Sequence, residues 1–247
     1  MQKIQLGKAN KFLSKLPRDE FERLISKTEV VALTRGQVLS DAGFVPRYVY
    51  FPTSCLMSVH KPVDGQRKFA LCTVGCEELV NSTYAIDLRS AFLRTVVLCP
   101  GQSLRMKLKI FSDEVHSGAT LNRRVMEYAL SLGEQFALTA GCNSFHTAEQ
   151  RLARWLLKLR GDVGANNFYI THAALADLVG IRRVGITNAA SAFKVLGLID
   201  YSRGYVDIPE GHLKLLRLWP GKLLQARQLD YGVSGLMARR AAASFSR

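Results

Sequence analysis

The stretch from Thr171 to Tyr205 constrains this chain most, because glycines divide it into short apolar blocks of fixed spacing. Leu175, Leu178 and Val179 share one helical face. Ile186, Ala189, Ala190 and Phe193, with Val195 and Leu196, share the face of a second helix. Gly180 stands between them, where a tight corner needs backbone freedom, and Thr171 is placed to cap the first helix. Gly197 ends the second helix. The tail LIDYSRGYVDI then alternates apolar and polar residues around Arg203-Gly204, as a two-stranded hairpin does. Together these features predict a winged helix-turn-helix.

In such a unit the second helix lies in the major groove of DNA, with residues near its N-terminus on the base edges. Arg183, Val184 and Asn188 are the base-reading candidates. Arginine pairs bidentately with guanine and asparagine with adenine, whereas valine offers at most an apolar contact with a thymine methyl. Thr171, Arg182, Thr187, Ser191 and Lys194, with Ser202 and Arg203 in the wing, suit phosphate contacts. The competing reading is a small three-helix domain whose surface arginines are merely solvated.

Charge favours a polyanionic partner. The formal net charge is +14, and from Cys142 to the end there are 15 Lys and Arg against 7 Asp and Glu, a denser excess than in residues 1–141. The length of 247 residues and the 48% hydrophobic content support two domains with buried cores. No apolar run approaches the roughly 20 residues of a membrane span, and the N-terminus has no signal-peptide core, so a cytoplasmic protein with no membrane partner is expected. Cys55, Cys72, Cys76, Cys99 and Cys142 are scattered and odd in number. They read as buried or incidental thiols rather than a disulfide framework or a metal site, and no cofactor is expected.

In chain order, residues 10–27 form a helical entry, with Phe12, Leu13 and Leu16 before Pro17 and Phe21, Leu24 and Ile25 after it. From Thr28 short strands rich in β-branched and aromatic residues follow, separated by turns at Gly36, Asp41 to Gly43, Asp64-Gly65 and Pro100-Gly101. A β-barrel or roll of about eight strands is expected. Between Asp113 and Gly141 the residues Leu121, Val125, Tyr128, Leu132, Phe136 and Ala140 repeat at helical spacing. A twin helix from a second subunit is the economical cover for this stripe, the alternative being that the helix packs on its own roll. Cys142 to Ser144 read as a hinge. Thr147 to Gln150 form a capping-box pattern ahead of Leu152, Trp155, Leu156 and Leu159, and Gly161 to Asn167 read as a polar loop.

This order of parts resembles the Crp/Fnr family of bacterial transcription regulators. The phrases NKFLSKLP, YFPTSCLMSV, CNSFHTAEQRLARWLL and LADLVGIRRVGITNAASAFKVLGLIDYSRG carry the resemblance, over roughly residues 10–215. It implies an α+β fold: a cyclic-nucleotide-binding-like sensor roll, of cupin-like jelly-roll type, at 1–112; a dimerisation helix at 113–141; a winged helix-turn-helix at 142–217; and an extension of unassigned role at 218–247. It also implies a homodimer on a near-palindromic operator and contact with RNA polymerase. Arg183 matches the first arginine of the family's Arg-Glu-x-x-x-Arg reading pattern, but Val184 and Asn188 replace the other two residues, so a different base preference is expected. In the sensor, Arg94-Thr95 could stand for the phosphate-binding pair of the cyclic AMP receptors. Their ribose-binding Gly-Glu is missing, and Glu77-Glu78 lie at the wrong offset from Gly75. The expected effector is therefore an unknown small molecule or none, rather than cyclic AMP.

Two other classes compete. An enzyme would need a motif such as G-x-S-x-G, H-E-x-x-H or a P-loop, and none occurs; the five histidines stand apart in sequence. A ligand-binding or protein-interaction scaffold that does not bind DNA specifically differs from a regulator in salt dependence, since displaced counterions make DNA binding fall steeply as salt rises.

Overall fold

A computed structural model describes residues 2–64, 67–87 and 91–209. The extension expected at 218–247 lies outside these residues. Helices α1 (Gln2–Ala9), α2 (Lys11–Ser14) and α3 (Arg18–Ser26) open the chain; α1 was not foreseen, since its sequence QKIQLGKA carries no apolar stripe. Asn10 explains how this entry is fixed. Its Oδ1 caps α2 by accepting from the Leu13 amide, while its buried Nδ2 donates to the carbonyls of Pro52 and Glu78.

Among the described residues seven strands follow in the roll: β1 (Glu29–Leu33), β2 (Val38–Ser40), β3 (Tyr48–Pro52), β4 (Leu56–Asp64), β5 (Arg67–Val74), β6 (Arg94–Cys99) and β7 (Gly101–Lys107). They form two antiparallel sheets, in the orders β1-β7-β3 and β2-β6-β4-β5. Met57, Val59, Cys72, Val74 and Val97 from the four-stranded sheet meet Leu33 and Tyr50 from the other, giving the two-layer core that alternating strands predict. Where a single helix was expected at 113–141, there are two, α4 (Leu108–Ser117) and α5 (Ala119–Phe145), broken at Gly118.

The stripe assigned to dimerisation is used within the protomer. Leu121, Val125 and Tyr128 are 0%, 0% and 5% exposed in the cluster built by α2, α3, α4 and the three-stranded sheet, and the Tyr128 hydroxyl donates to the Leu79 carbonyl at 2.8 Å. Leu132 and Phe136 are half-buried against the same roll. The inner face of α5 then continues through Gln135, Thr139 and Cys142, two of them polar, which is why an apolar pattern missed them and strayed to Ala140, an exposed residue. The proposed hinge is also corrected. Cys142 to Ser144 are helical, and the chain turns extended at His146 and Thr147.

Thr147 opens α6 (Ala148–Val163) with both halves of the capping box in place. Gly161 belongs to this helix rather than to a loop, and Gly164 terminates it. Strand β8 (Asn167–Tyr169), helices α7 (His172–Val179) and α8 (Arg183–Val195), and strands β9 (Asp200–Ser202) and β10 (Tyr205–Asp207) complete the described chain. The strand β8 was not anticipated; it pairs with β10, which pairs with β9, so the wing is a three-stranded sheet. No helix among the described residues is long and apolar enough to cross a membrane.

Candidate nucleic-acid interface

The corner between α7 and α8 forms as the glycine pattern requires. Thr171 caps α7 by accepting from the Ala174 amide, and Gly180 ends it at φ +71°, a conformation that costs other residues a Cβ clash. Ile186, Ala189, Ala190 and Phe193 on the inner face of α8 are buried with Leu175, Leu178 and Val179 of α7 and Leu152, Trp155, Leu156 and Leu159 of α6. That packing leaves the opposite face of α8 in solvent. Arg182 is the N-cap residue and Arg183 the first helical one; Arg182, Arg183, Val184, Thr187, Asn188, Ser191 and Lys194 are all exposed. Val184 is 70% exposed, so an apolar side chain stands between two basic residues and Asn188 on an otherwise polar face.

Ser202 and Arg203 sit at the exposed wing turn, where Arg203 and Gly204 both take positive φ. The candidates on α8, from Arg182 to Lys194, therefore lie on its exposed face, and Ser202 and Arg203 are exposed at the wing turn. Besides Thr171, which caps α7, two more of the candidates are already engaged. Lys194 Nζ is 2.7 Å from Asp200 Oδ1 and donates to the Tyr201 carbonyl, tying α8 to the wing; this hydrogen bond holds the Asp200 carboxyl below the usual range. Thr187 donates to the Arg183 carbonyl at 3.1 Å and lies 3.0 Å from Nδ1 of His172.

Residues 150–211 match the Crp-like helix-turn-helix domain family. No curated protein matches the sequence. Among solved structures the chain is similar to FixK2 from Bradyrhizobium japonicum, at 12% identity and a TM-score of 0.68 over 78% of this chain and 98% of that one. It is also similar to the c-di-GMP-responsive global regulator CLP of Xanthomonas campestris, at 15% identity and 0.64 over 78% and 99%, and to a Crp/Fnr-family chain from Eubacterium rectale, at 16% and 0.65 over 84% and 97%. The chain carries a Crp-like helix-turn-helix on the Crp/Fnr fold. A DNA-binding transcriptional regulator is the function this combination supports.

The Crp-like domain is docked on the roll of its own chain. Leu56, Ala70 and Leu98 from the outer face of the four-stranded sheet belong to the same buried cluster as the helix-turn-helix core. Beside this apolar contact runs a polar one. Thr73 of β5 donates to the Asp162 carboxylate, which Lys158 holds at 2.9 and 3.1 Å, and Arg154 donates to the Thr139 hydroxyl of α5 at 2.7 Å. Gln135 of α5 donates to buried Glu78 at 2.8 Å. Burial pushes the Glu78 carboxyl up, against the pull of Lys158, while Asp162 and Glu78 carry the Lys158 ammonium up despite its burial. Sequence reading missed this network because its partners are 57 and 89 residues apart.

The possible effector pair differs in its surroundings. Arg94 and Thr95 are adjacent on β6, so their side chains leave opposite faces of the sheet: Arg94 reaches Asp41 at 3.4 Å, and Thr95 is 2% exposed. Cys72 and Cys76, the close thiol pair, fall at the end of β5 and in the turn after it. Burial raises both thiols, Cys72 most strongly.

Proposed function

We propose that this chain is a homodimeric, sequence-specific transcription regulator that reads a near-palindromic operator with α8, contacts RNA polymerase, and acts in the cytoplasm without catalysing a reaction or holding a cofactor. The observation that carries this reading is the exposed face of α8, where Arg183, Val184 and Asn188 stand at the N-terminal end of a helix whose other face is locked into a core. Arg183 and Asn188 supply hydrogen bonds for base edges and Val184 a methyl contact. Arg182, Ser191, Ser202, Arg203 and Thr171 lie around them for phosphate. The sensor unit is the roll through β7, α5 is the dimerisation helix, and the reading unit begins at α6.

The dimer seam we assign differs from the buried stripe. Met126, Leu130, Gly133, Ala137, Ala140 and Ser144 alternate at intervals of four and three along α5, and Met126, Leu130 and Phe145 are 40%, 74% and 85% exposed. A heptad of this kind with small residues in its second half suits close approach of a parallel twin helix, which sets the two reading helices at one operator spacing. Cyclic AMP is not the effector in this reading, because the sequence lacks the Gly-Glu pair for a ribose, and Arg94 is already 3.4 Å from Asp41. Another small molecule is the candidate effector.

Selection of bound sequences from a random DNA pool tests the proposal. The expected result is a palindromic site with half-sites about one helical turn apart, bound with affinity that falls about a thousandfold or more between 50 and 200 mM salt. A pool that stays unenriched overturns it.

A further inference from the structure

His172 is the first residue of α7, and no motif marks it in the sequence. Its Nδ1 lies 3.0 Å from the Thr187 hydroxyl, which in turn lies 3.1 Å from the Arg183 carbonyl. A hydroxyl carries one proton. Donated to the carbonyl four residues back along the helix, that proton leaves the oxygen as acceptor, so His172 Nδ1 bears the hydrogen of the second bond. Nε2 is buried with no hydrogen-bond partner among the described residues. It is the bare nitrogen of a neutral ring, and burial together with nearby Arg183 holds the imidazole below its ordinary pKa. The ring also stacks on Tyr201 of β9, with centroids 4.3 Å apart and planes at 25°, and the Tyr201 hydroxyl donates to the Ile170 carbonyl at 2.9 Å, just ahead of α7. One side chain thus touches the first helix, the recognition helix and the wing.

We infer that His172 is a positioning residue for base recognition: through Thr187 it pins the first turn of α8, and with it Arg183, against α7 and the wing. The inference rests on the DNA-reading proposal above and adds the group that holds the reading geometry. It also removes Thr187 from the phosphate contacts although the residue is exposed, since its one hydroxyl proton is spent on the Arg183 carbonyl. A bidentate pairing of arginine with guanine tolerates little displacement of the turn that launches it, whereas flexible phosphate contacts follow a small pivot. Loss of the His172 bond should therefore cost specificity before it costs affinity for DNA in general.

The test uses the full chain, the operator recovered by selection and a random-sequence duplex of equal length, with binding read by fluorescence anisotropy. His172→Ala is expected to lower the preference for operator over random duplex about tenfold, the scale of one lost hydrogen bond, with binding to the random duplex unchanged. His172→Asn, whose amide can place an N–H near the position of Nδ1, should restore most of that preference. Thr187→Val should lose the same factor, and the double variant no more than either single one, because both remove one bond. Retention of wild-type preference by His172→Ala, or losses in the two single variants that multiply in the double, would overturn the assignment. Should His172→Ala fail to fold, Thr187→Val and His172→Asn carry the comparison. A wild-type protein that selects no operator refutes the DNA-reading proposal itself, and leaves His172 with nothing to position.

Discussion

Arg182 and Arg183 are neighbours to which the proposed function gives different work, and the difference follows from where the helix begins. Arg183 is the first helical residue and projects from the reading face; Arg182 is the extended residue before it, at φ −66° and ψ 148°. If Arg183 reads a guanine, Arg183→Ala should cost about 1 to 3 kcal/mol on the operator and relax preference at one base in each half-site. Arg182→Ala should instead weaken binding to operator and random DNA alike and lower the salt slope by about one unit. Titrations of both variants against both duplexes at several salt concentrations separate the two roles. A residue-scale test of the junction is Gly75→Ala. A Cβ there would fall 2.6 Å from the Asp162 carbonyl oxygen, so roll and reading domain must part slightly; a loss of about 1 to 3 kcal/mol in urea unfolding is expected.

Helix α5 is the element whose sequence was hardest to assign, because it carries two heptads at once. The inner one runs Leu121, Val125, Tyr128, Leu132, Gln135, Thr139, Cys142, and the outer one Met126, Leu130, Gly133, Ala137, Ala140, Ser144. Periodicity alone prefers the first, since it holds the larger apolar residues, yet the roll covers it. The two faces give opposite outcomes to the same kind of change. Leu130→Glu should leave the monomer folded and shift sedimentation from dimer to monomer, as a charge in a twin-helix seam is buried without a partner. Leu121→Ala should instead destabilise the roll by about 2 to 5 kcal/mol, the range for a fully buried leucine. Thermal melts and sedimentation of the pair distinguish the faces.

Across the whole molecule, the roll, α5 and the reading domain are joined by a buried cluster in which Glu78 and Asp162 face one lysine, Lys158, with Thr73, Gln135, Thr139 and Arg154 around them. Burial raises the Glu78 carboxyl above its unfolded value. The folded state therefore holds this proton more tightly than the unfolded chain. Its contribution is fully present below the ordinary carboxyl range and is lost as pH rises through the raised value. Glu78→Gln, which keeps an acceptor for Gln135 and cannot ionise, should flatten the decline of stability between the ordinary carboxyl range and that raised value. Urea midpoints of the two proteins from pH 4 to pH 9 check this; parallel curves would mean that Glu78 does not titrate in the range.

The reading head was legible because its information is local. Gly180, the Thr171 cap, the Thr147 and Gln150 capping box and the apolar spacing of Ile186 to Phe193 act within a few residues of one another, and short-range sterics and hydrogen bonds decide them. The strands of the roll were legible for the same reason, but not their order, nor the fate of Arg94 and Thr95, which depends on how β6 lies between β2 and β4. His172 was passed over as an isolated histidine because its partners, Thr187 and Tyr201, lie 15 and 29 positions away and meet it only once α7, α8 and the wing have packed. By itself the sequence determined the helices, corner and wing turn of the reading head, and which face of α8 points outward, since backbone geometry and apolar periodicity settle both. Tertiary structure alone decided which heptad of α5 the roll would cover and which buried polar groups would pair, because a hydrogen bond between residues far apart in the chain exists only after packing has excluded water from both.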